Sequence, residues 1–593
     1  MEPTHADAIR RILRERNLDG FIQPRNDEFF GEFVPPSDER LAWLTGFTGS
    51  AGLAILLRDR AAVFSDGRYM IQLAQETDPL IWEQVRIADM RPEEWLRVNA
   101  PVGARIGYDP WLMSAETIDK FSKAGIAPVA ITNPIDMLWK NRPKPHIAPA
   151  WPHGLEFAGE SAEHKRTRIG AAIGSEGADA VLLTDPHAVA WLFNLRGSDL
   201  PYTPILLATA LLRNDGSAEL YVDPLKVNDA VRSHLGQGVT IVPRESMVRS
   251  LSILQGQRVR IDSATSPIRY LQILSEAGAI VVSGHDPCVL PRAIKNGVER
   301  KGARNAHRRD AVAMCKFLAW FIAEAPTGEL DETSAAAKLH ELRSVAPEFR
   351  SDSFPSISAA GEHGAIVHYH ANNITNRPIR PNEIYLIDSG GQYPDGTTDI
   401  TRTLWTGPGV PPSDVRDCYT RVLGGHIALA RARFPEGTSG PMLDALARTM
   451  LWDAGLDYDH GTGHGVGSYL SVHEGPVAFH RTGKPVPLAS GMILSDEPGY
   501  YRENKYGIRL ENLLLVREAA LSAAKSFLEF ETLTLVPFDM RLVDVSLLDA
   551  RSRMWLDAYH ARVVGEIGPL LDDSTRNLLT GLSCDDWMSI ASS

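Results

Sequence analysis

A block that returns with its order intact constrains the fold of this chain more than any other feature. The segment LAWLTGFTGS at 41–50 reappears as VAWLFNLRGS at 189–198, at a constant offset of 148. Further on, AAVFSD at 61–66 answers to AELYVD at 218–223, at an offset of 157. Matches this far apart describe a duplicated domain, because solenoid repeats return every ~20–50 residues. The growth of the offset is expected to be one longer hairpin. Each copy alternates short apolar runs (54–57, 180–183, 239–242) with helical patterns, so two α/β domains of one fold are expected.

Proline-rich seams at 142–152 and 286–291 delimit the copies, since proline at that density stops both helix and central strand. The expected division is an α/β domain over 1–145, its relative over 152–290, a third region over 292–530 and a tail over 531–593. A helix is predicted over 298–324, with Val312, Cys315, Leu318, Ala319 and Ile322 as its apolar stripe. The tail predicts an amphipathic helix over 550–567, with Trp555, Tyr559 and Val563 on the face that packs against the third region.

Charge and cysteine usage narrow the class. Asp and Glu total 74 against 61 Lys and Arg, a net charge of −13 that argues against a general nucleic-acid binder. Cys288, Cys315, Cys418 and Cys584 form no CxxC pair, which speaks against a disulfide framework or a thiolate zinc site and fits a reducing compartment. The first residues are acidic and lack an apolar signal core. The apolar run 205–212 is far short of the ~20 residues of a membrane helix. A cytoplasmic protein with no membrane and no nucleic-acid partner is expected.

The chemistry gathers in the third region. Residues 383–388 read as a buried strand ending in Asp388, 389–396 as a turn-rich connection, and 398–404, which includes Asp399, as the return strand. Such a hairpin sets two carboxylates side by side, which need a proton or a cation between them. Taken alone, that pair reads as two solvated acids. A second pair, Glu497 and Glu511, lies against the apolar runs 492–494 and 513–516, where an uncompensated acid is expensive to bury. Arg509 falls two residues before Glu511, on the same face of a regular strand, and pairing of the two would account for Glu511 but not for Glu497. Between the pairs runs HGTGHGVGSYLSVHEGP at 460–476, with alternating glycines and with His460, His464 and His473. No Gly-Lys-Ser/Thr and no GxGxxG opening a helix supports a nucleotide loop there. One imidazole and four carboxylates can hold two divalent cations, with Mn²⁺, Co²⁺ or Fe²⁺ favoured over a thiolate-type zinc site. Hydrolysis of an amide or ester is the reaction class such a site serves.

At these residues the chain resembles a known family. The order Asp388, Asp399, His464, Glu497, Glu511 is similar to the ligand signature of the pita-bread metallopeptidases. LIDSGGQYPDGTTDITRT at 386–403, HGTGHGVGSYLSVHEGP and the EPGYY…GIRLEN pair resemble cytosolic-type Xaa-Pro aminopeptidases. SDGRY at 65–69, LFNLRGS at 192–198 and LTLVP at 533–537 extend the likeness over nearly the whole chain. The resemblance implies an α/β (α+β) protein: two related N-terminal α/β domains, then a pita-bread catalytic domain with a dinuclear metal site.

It also implies the roles. Asp388 chelates one metal, Asp399 and Glu511 bridge both, and His464 and Glu497 complete the second. The metals are two divalent ions, Mn²⁺ first, with Co²⁺, Fe²⁺ or Zn²⁺ as alternatives. His368, His460 and His473 bind substrate and stabilise the scissile carbonyl oxygen. Glu497 also carries a proton to the leaving proline nitrogen, and Arg509 and Tyr501 orient the ligands. His370 falls outside the pattern and is read as structural. The implied reaction is removal of the N-terminal residue from short peptides with proline at the second position, by a hydroxide bridging the metals. A homodimer is implied as well. Prolidase, which cuts only Xaa-Pro dipeptides, is the alternative, followed by a metal-binding relative that is not an enzyme. Two N-terminal domains favour the aminopeptidase, and the complete ligand set disfavours a metal-free relative such as creatinase. Asp496, beside Glu497, departs from the asparagine common in similar enzymes.

Overall fold

The structure, a computed structural model, describes residues 4–520 and 525–582. Cys584 and the end of the expected tail, residues 583–593, lie outside the described residues. Two compact units divide the chain, Met1–Gly154 with Glu160–Val289, and Leu155–Gly159 with Leu290–Ser593.

The first unit holds two six-stranded sheets. The first is built from β1 (Gly20–Pro24), β2 (Leu53–Leu57), β3 (Ala61–Ser65), β4 (Glu83–Arg86), β5 (Arg105–Tyr108) and β6 (Ala127–Ala130), in the order 4-3-2-1-5-6. The second is built from β7 (Ala180–Leu183), β8 (Thr209–Arg213), β9 (Ala218–Val222), β10 (Val239–Pro243), β11 (Arg258–Ile261) and β12 (Ile280–Ser283), in the order 10-9-8-7-11-12. Strand for strand the order is the same. So is the sense of every pairing, antiparallel between the first three strands and parallel elsewhere. The repeat seen in the sequence is therefore a repeated topology.

The offset does not grow in one longer hairpin. Leu53 opens β2 and Thr209 opens β8, an offset of 156, so nearly all of the growth precedes that strand. The extra chain after the helix Pro186–Leu192 has its own packing to satisfy. Leu195–Arg196 pairs with Trp151–Pro152, and Asp199 is buried against Lys226 at 2.6 Å.

In the second unit the long helix Gly297–Glu324 starts at an Asn296 cap. Its side chain accepts from the Val298 and Glu299 amides, while Glu299 accepts from the Asn296 amide, so several of the first-turn donors are satisfied. The buried stripe is broader than the predicted one and rotated from it. Cys315 and Leu318 belong to it, but Val312, Ala319 and Ile322 are only partly buried, and Met314, Phe317 and Phe321 fill the core. The displacement follows from contact with a sheet, where Phe321 stacks on Tyr385 with ring centroids 4.4 Å apart.

That sheet is β13 (Ile357–Ala360), β14 (Ile384–Ser389) and β15 (Ile400–Trp405), all antiparallel. A second antiparallel sheet comprises β16 (Arg433–Pro435), β17 (Ile493–Asp496), β20 (Asn512–Glu518) and β21 (Phe527–Thr532). The ribbon β18 (Gly499–Arg502) and β19 (Tyr506–Arg509) comes between them in the chain. The helix Ala550–Ile567 buries Leu556, Tyr559, Val563 and Ile567 in the same core, with Trp555 at its edge, stacked on Tyr559. Among the described residues no helix is long and apolar enough to cross a membrane.

Candidate metal centre

Two strand pairs end at one place. In the first sheet Asp388 on β14 faces Thr401 on β15, and Asp399 directly precedes β15. In the second, Asp496 on β17 faces Asn512 on β20, so Glu497 and Glu511 stand just past the paired ends. Each antiparallel register thus delivers two carboxylates to one sheet end. The ends are tied together: the Glu511 amide donates to Thr401 O at 3.1 Å, and the Thr401 hydroxyl to Glu511 Oε2 at 2.8 Å.

His464 arrives on the short strand Gly463–His464, which lies against β17. A Cβ on Gly463 would stand 1.9 Å from Ser495 O, so only glycine permits that approach. Ligand atoms of Asp399, His464 and Glu511 lie within 4.8 Å of one another. His464 Nε2 is 3.3 Å from Glu497 Oε1 and 3.6 Å from Asp399 Oδ2. Its Nδ1 contacts Gly465 O at 3.0 Å; a carbonyl only accepts, so Nδ1 carries the hydrogen. In the neutral ring the Nε2 lone pair then points at carboxylates, an arrangement that asks for a cation between them.

The carboxylates make the same demand. Asp388, Asp399 and Glu511 are buried. Burial pushes the carboxyls of Asp399 and Glu511 well above the usual range, and the neighbouring acids push them further. Asp388 is also raised by burial, although Arg509 opposes it, and its Oδ1 is buried with no hydrogen-bond partner. Glu497 is the exception. Burial raises it, but a protonated His464, with lesser contributions from His460 and Arg509, holds it down at about 2; a cation would take the place of that imidazole proton. The donor set therefore fits divalent cations: oxygen-rich, buried, self-repelling and completed by one imidazole.

Arg509 does not pair with Glu511 along one strand. The chain leaves the ribbon after Arg509 and enters the other sheet at Asn512, so the two side chains are not on one regular face. Arg509 donates instead to Asp388 Oδ2 at 2.7 Å and to the Tyr501 hydroxyl at 2.8 Å. Tyr501 lies 2.7 Å from His460 Nε2, while His460 Nδ1 donates to Gly461 O at 2.7 Å. His460 Nε2 is thus the acceptor of the Tyr501 hydroxyl, and burial lowers this histidine to about 4. The His473 ring stands edge-on to His464, centroids 4.2 Å apart. His368 is half-buried and follows the turn Gly361–Ala365, where Gly364 packs on Gly507 of β19. His370 is exposed.

Sequence reasoning missed a layer beneath the ligands. His426, fully buried, places Nδ1 3.1 Å from the backbone O of Asp496 and 3.2 Å from its Oδ2, and Nε2 3.0 Å from Asn512 Nδ2. Arg402, also fully buried, donates to Glu511 O, Asn512 Oδ1, Val536 O and Pro537 O. A charged residue between Thr401 and Thr403, inside a strand otherwise fit for a core, was the available signal. Asp496→Asn leaves the backbone carbonyl that His426 Nδ1 meets in place and removes only a buried charge, so it is expected to shift metal affinity or the pH–rate profile by no more than about tenfold. Titration of the stripped protein with Mn²⁺ measures this, and total loss of activity would refute it.

Comparison with known proteins places these residues in context. Residues 301–518 match metallopeptidase family M24, 526–581 the C-terminal region of peptidase M24, and 6–138 and 141–299 two creatinase/prolidase N-terminal domains. Aminopeptidase P1 of Arabidopsis thaliana is 36% identical over 627 residues, covering 96% of this chain and 97% of that one. Xaa-Pro aminopeptidase 2 of Homo sapiens is 38% identical over 581 residues, covering 95% and 85%. The X-prolyl aminopeptidase of Caenorhabditis elegans, described as a cytosolic enzyme with a di-nuclear active site, superposes with a TM-score of 0.92 at 33% identity, covering 98% of this chain and 99% of that one. An Xaa-Pro dipeptidase from Bacillus anthracis shares the fold at a TM-score of 0.51 and 24% identity, and its near-complete length accounts for 64% of this chain.

Proposed function

This chain belongs to metallopeptidase family M24, among its Xaa-Pro aminopeptidases, and from that premise we propose how its own residues perform the reaction. It is a metal-dependent aminopeptidase that hydrolyses the bond between an N-terminal residue and a following proline. The observation that carries this reading is the convergence of Asp399, His464 and Glu511 within 4.8 Å, flanked by Asp388 and Glu497.

Asp388, Asp399, His464, Glu497 and Glu511 would hold two divalent cations, with manganese as our choice of metal. Such a pair, when bound, lowers the pKa of water and polarises the scissile carbonyl. Arg509 favours the ionised form of Asp388 against the effect of burial and aims it, and Tyr501 braces Arg509. The hydroxyl of Tyr501 occupies His460 Nε2, so His460 contributes by fixing Tyr501. His368 and His473 are then the histidines we place on the substrate carbonyl. Glu497, a carboxylate at neutral pH, takes the proton of the attacking water and passes it to the proline nitrogen. That nitrogen belongs to a tertiary amide with no N–H, so cleavage needs a site shaped to the ring rather than one that reads an extended backbone. The same reading includes a cytoplasmic location and a homodimer.

The test is to strip the protein with a chelator, restore Mn²⁺, and assay Xaa-Pro-Yaa beside Xaa-Pro. Release of Xaa from the tripeptide, only with metal, is expected. Cleavage of the dipeptide alone would make the chain a dipeptidase, and cleavage of neither with metal bound would overturn the substrate assignment.

A further inference from the structure

Glu332 lies in the first turn of the helix Glu332–Ser344 and is wholly buried. Its Oε1 accepts from the Ala360 amide at 2.8 Å and from His363 Nδ1 at 2.9 Å. Its Oε2 accepts from the Tyr369 hydroxyl at 2.7 Å and from the Arg377 amide at 3.2 Å. A carboxylate offers about four lone-pair sites, and here four donors from a single stretch, residues 360–377, meet them. Between the short turn Gly361–Ala365 and Arg377 the stretch contains no helix or strand; backbone pairing meets it at its two ends, Ala360 on β13 and Arg377, whose O accepts from the Glu332 amide at 3.2 Å. Other contacts close it around the same carboxylate: the His363 ring lies 4.4 Å from that of Tyr369, and Arg377 Nη1 donates to Ala360 O at 2.7 Å. His368 sits in this stretch, one residue before the anchored Tyr369.

We propose that Glu332 is a positioning residue for Xaa-Pro cleavage, whose carboxylate holds the 360–377 stretch so that His368 meets the substrate in one place. This rests on the reading of His368 as a substrate-binding residue. Glutamine has nearly the same shape, but it replaces one acceptor oxygen with an NH₂ that turns donors against donors. The change is therefore specific to the anchor and leaves the volume of the core unchanged.

The test uses the metal-loaded full chain and four proteins: wild type, Glu332→Gln, His368→Ala and the double variant. Glu332→Gln is expected to lower kcat/KM for Xaa-Pro-Yaa about 30-fold, with metal content unchanged and faster amide exchange confined to 360–377. On the His368→Ala background the same change is expected to cost less than about threefold, because it acts through that histidine. Losses that multiply independently in the double variant would overturn the proposal. So would wild-type kinetics in Glu332→Gln, or faster exchange spread over the whole unit. Should Glu332→Gln fail to fold, Tyr369→Phe removes one donor and keeps the carboxylate. It is expected to cost about 3–10-fold with the same dependence on His368, and independence would overturn the anchor. If the wild type released no N-terminal residue, the functional reading would fail by itself. Exchange in 360–377 would still decide whether Glu332 is the anchor, unchanged exchange overturning it and locally faster exchange upholding it.

Discussion

Replacing Glu511 with glutamine is expected to release metal and to lower kcat/KM for an Xaa-Pro-Yaa peptide on the order of a thousandfold. Glu511 is nearly inaccessible, and its carboxyl is pushed well up by burial and then by Asp399, Glu497 and Asp388. An acid in that position is retained for what it binds, because by itself it destabilises the fold. The same substitution should therefore stabilise the chelator-treated protein while inactivating the loaded one. The sign of the pH dependence follows. Asp399 and Glu511 hold protons more tightly in the folded chain than in the unfolded one, where carboxyls titrate near ~4. The stripped wild type therefore loses stability as pH rises from about 4 through the folded values, and Glu511→Gln flattens that loss. Metal content by mass spectrometry and calorimetry of the stripped proteins at pH 5 and pH 8 check both halves. A variant that kept its metal, or a stripped wild type that gained stability at pH 8, would refute the account.

The second large effect is expected at a residue that touches no substrate. Arg402 spreads its donors over the carbonyls of Thr401, Glu511, Val536 and Pro537 and the side chain of Asn512, and its guanidinium lies 4.3 Å from the centre of the Phe538 ring. Burial lowers its pKa, although its surroundings are rich in acceptors. Arg402→Ala would leave several buried carbonyls without donors, costing about 3–5 kcal/mol. Calorimetry of the loaded protein should show the transition of this unit falling by about 10 °C. Arg402→Lys should recover little, since an ammonium on a flexible stem cannot reach acceptors spread over a planar fork. A near-normal transition in Arg402→Ala would show that the carbonyls find other donors.

The sequence carried the duplication, the long helix, the tail helix and the order of the acids, because each rests on local pattern or on spacing that survives folding. AAVFSD and AELYVD match in pattern, and the structure holds them as the third strand of each sheet. What could not be read was which partners meet across long separations. Arg509 looked like a neighbour of Glu511, yet the strand breaks at Leu510 and its partner is Asp388, more than a hundred residues away. Asp496 departs from the expected residue beside Glu497, but nothing local in the sequence announces His426 as its contact. The sequence analysis does not single out Glu332: its donors lie mostly in a stretch with no periodicity to predict.

Arg402 also bears on the order in which the protein is made. The four acids and one imidazole that would hold the metals are all translated once residue 511 is joined, and an emerging chain of that length already holds a complete ligand list. It does not yet hold the carbonyls of Val536 and Pro537, nor Tyr559, whose hydroxyl lies 3.1 Å from Arg402 Nη2. The layer beneath Glu511 and Asn512 has all its parts only once residue 559 is joined, and a domain folds as a unit. A chain that ends between these two points contains every ligand but lacks the two carbonyls and the hydroxyl that Arg402 meets.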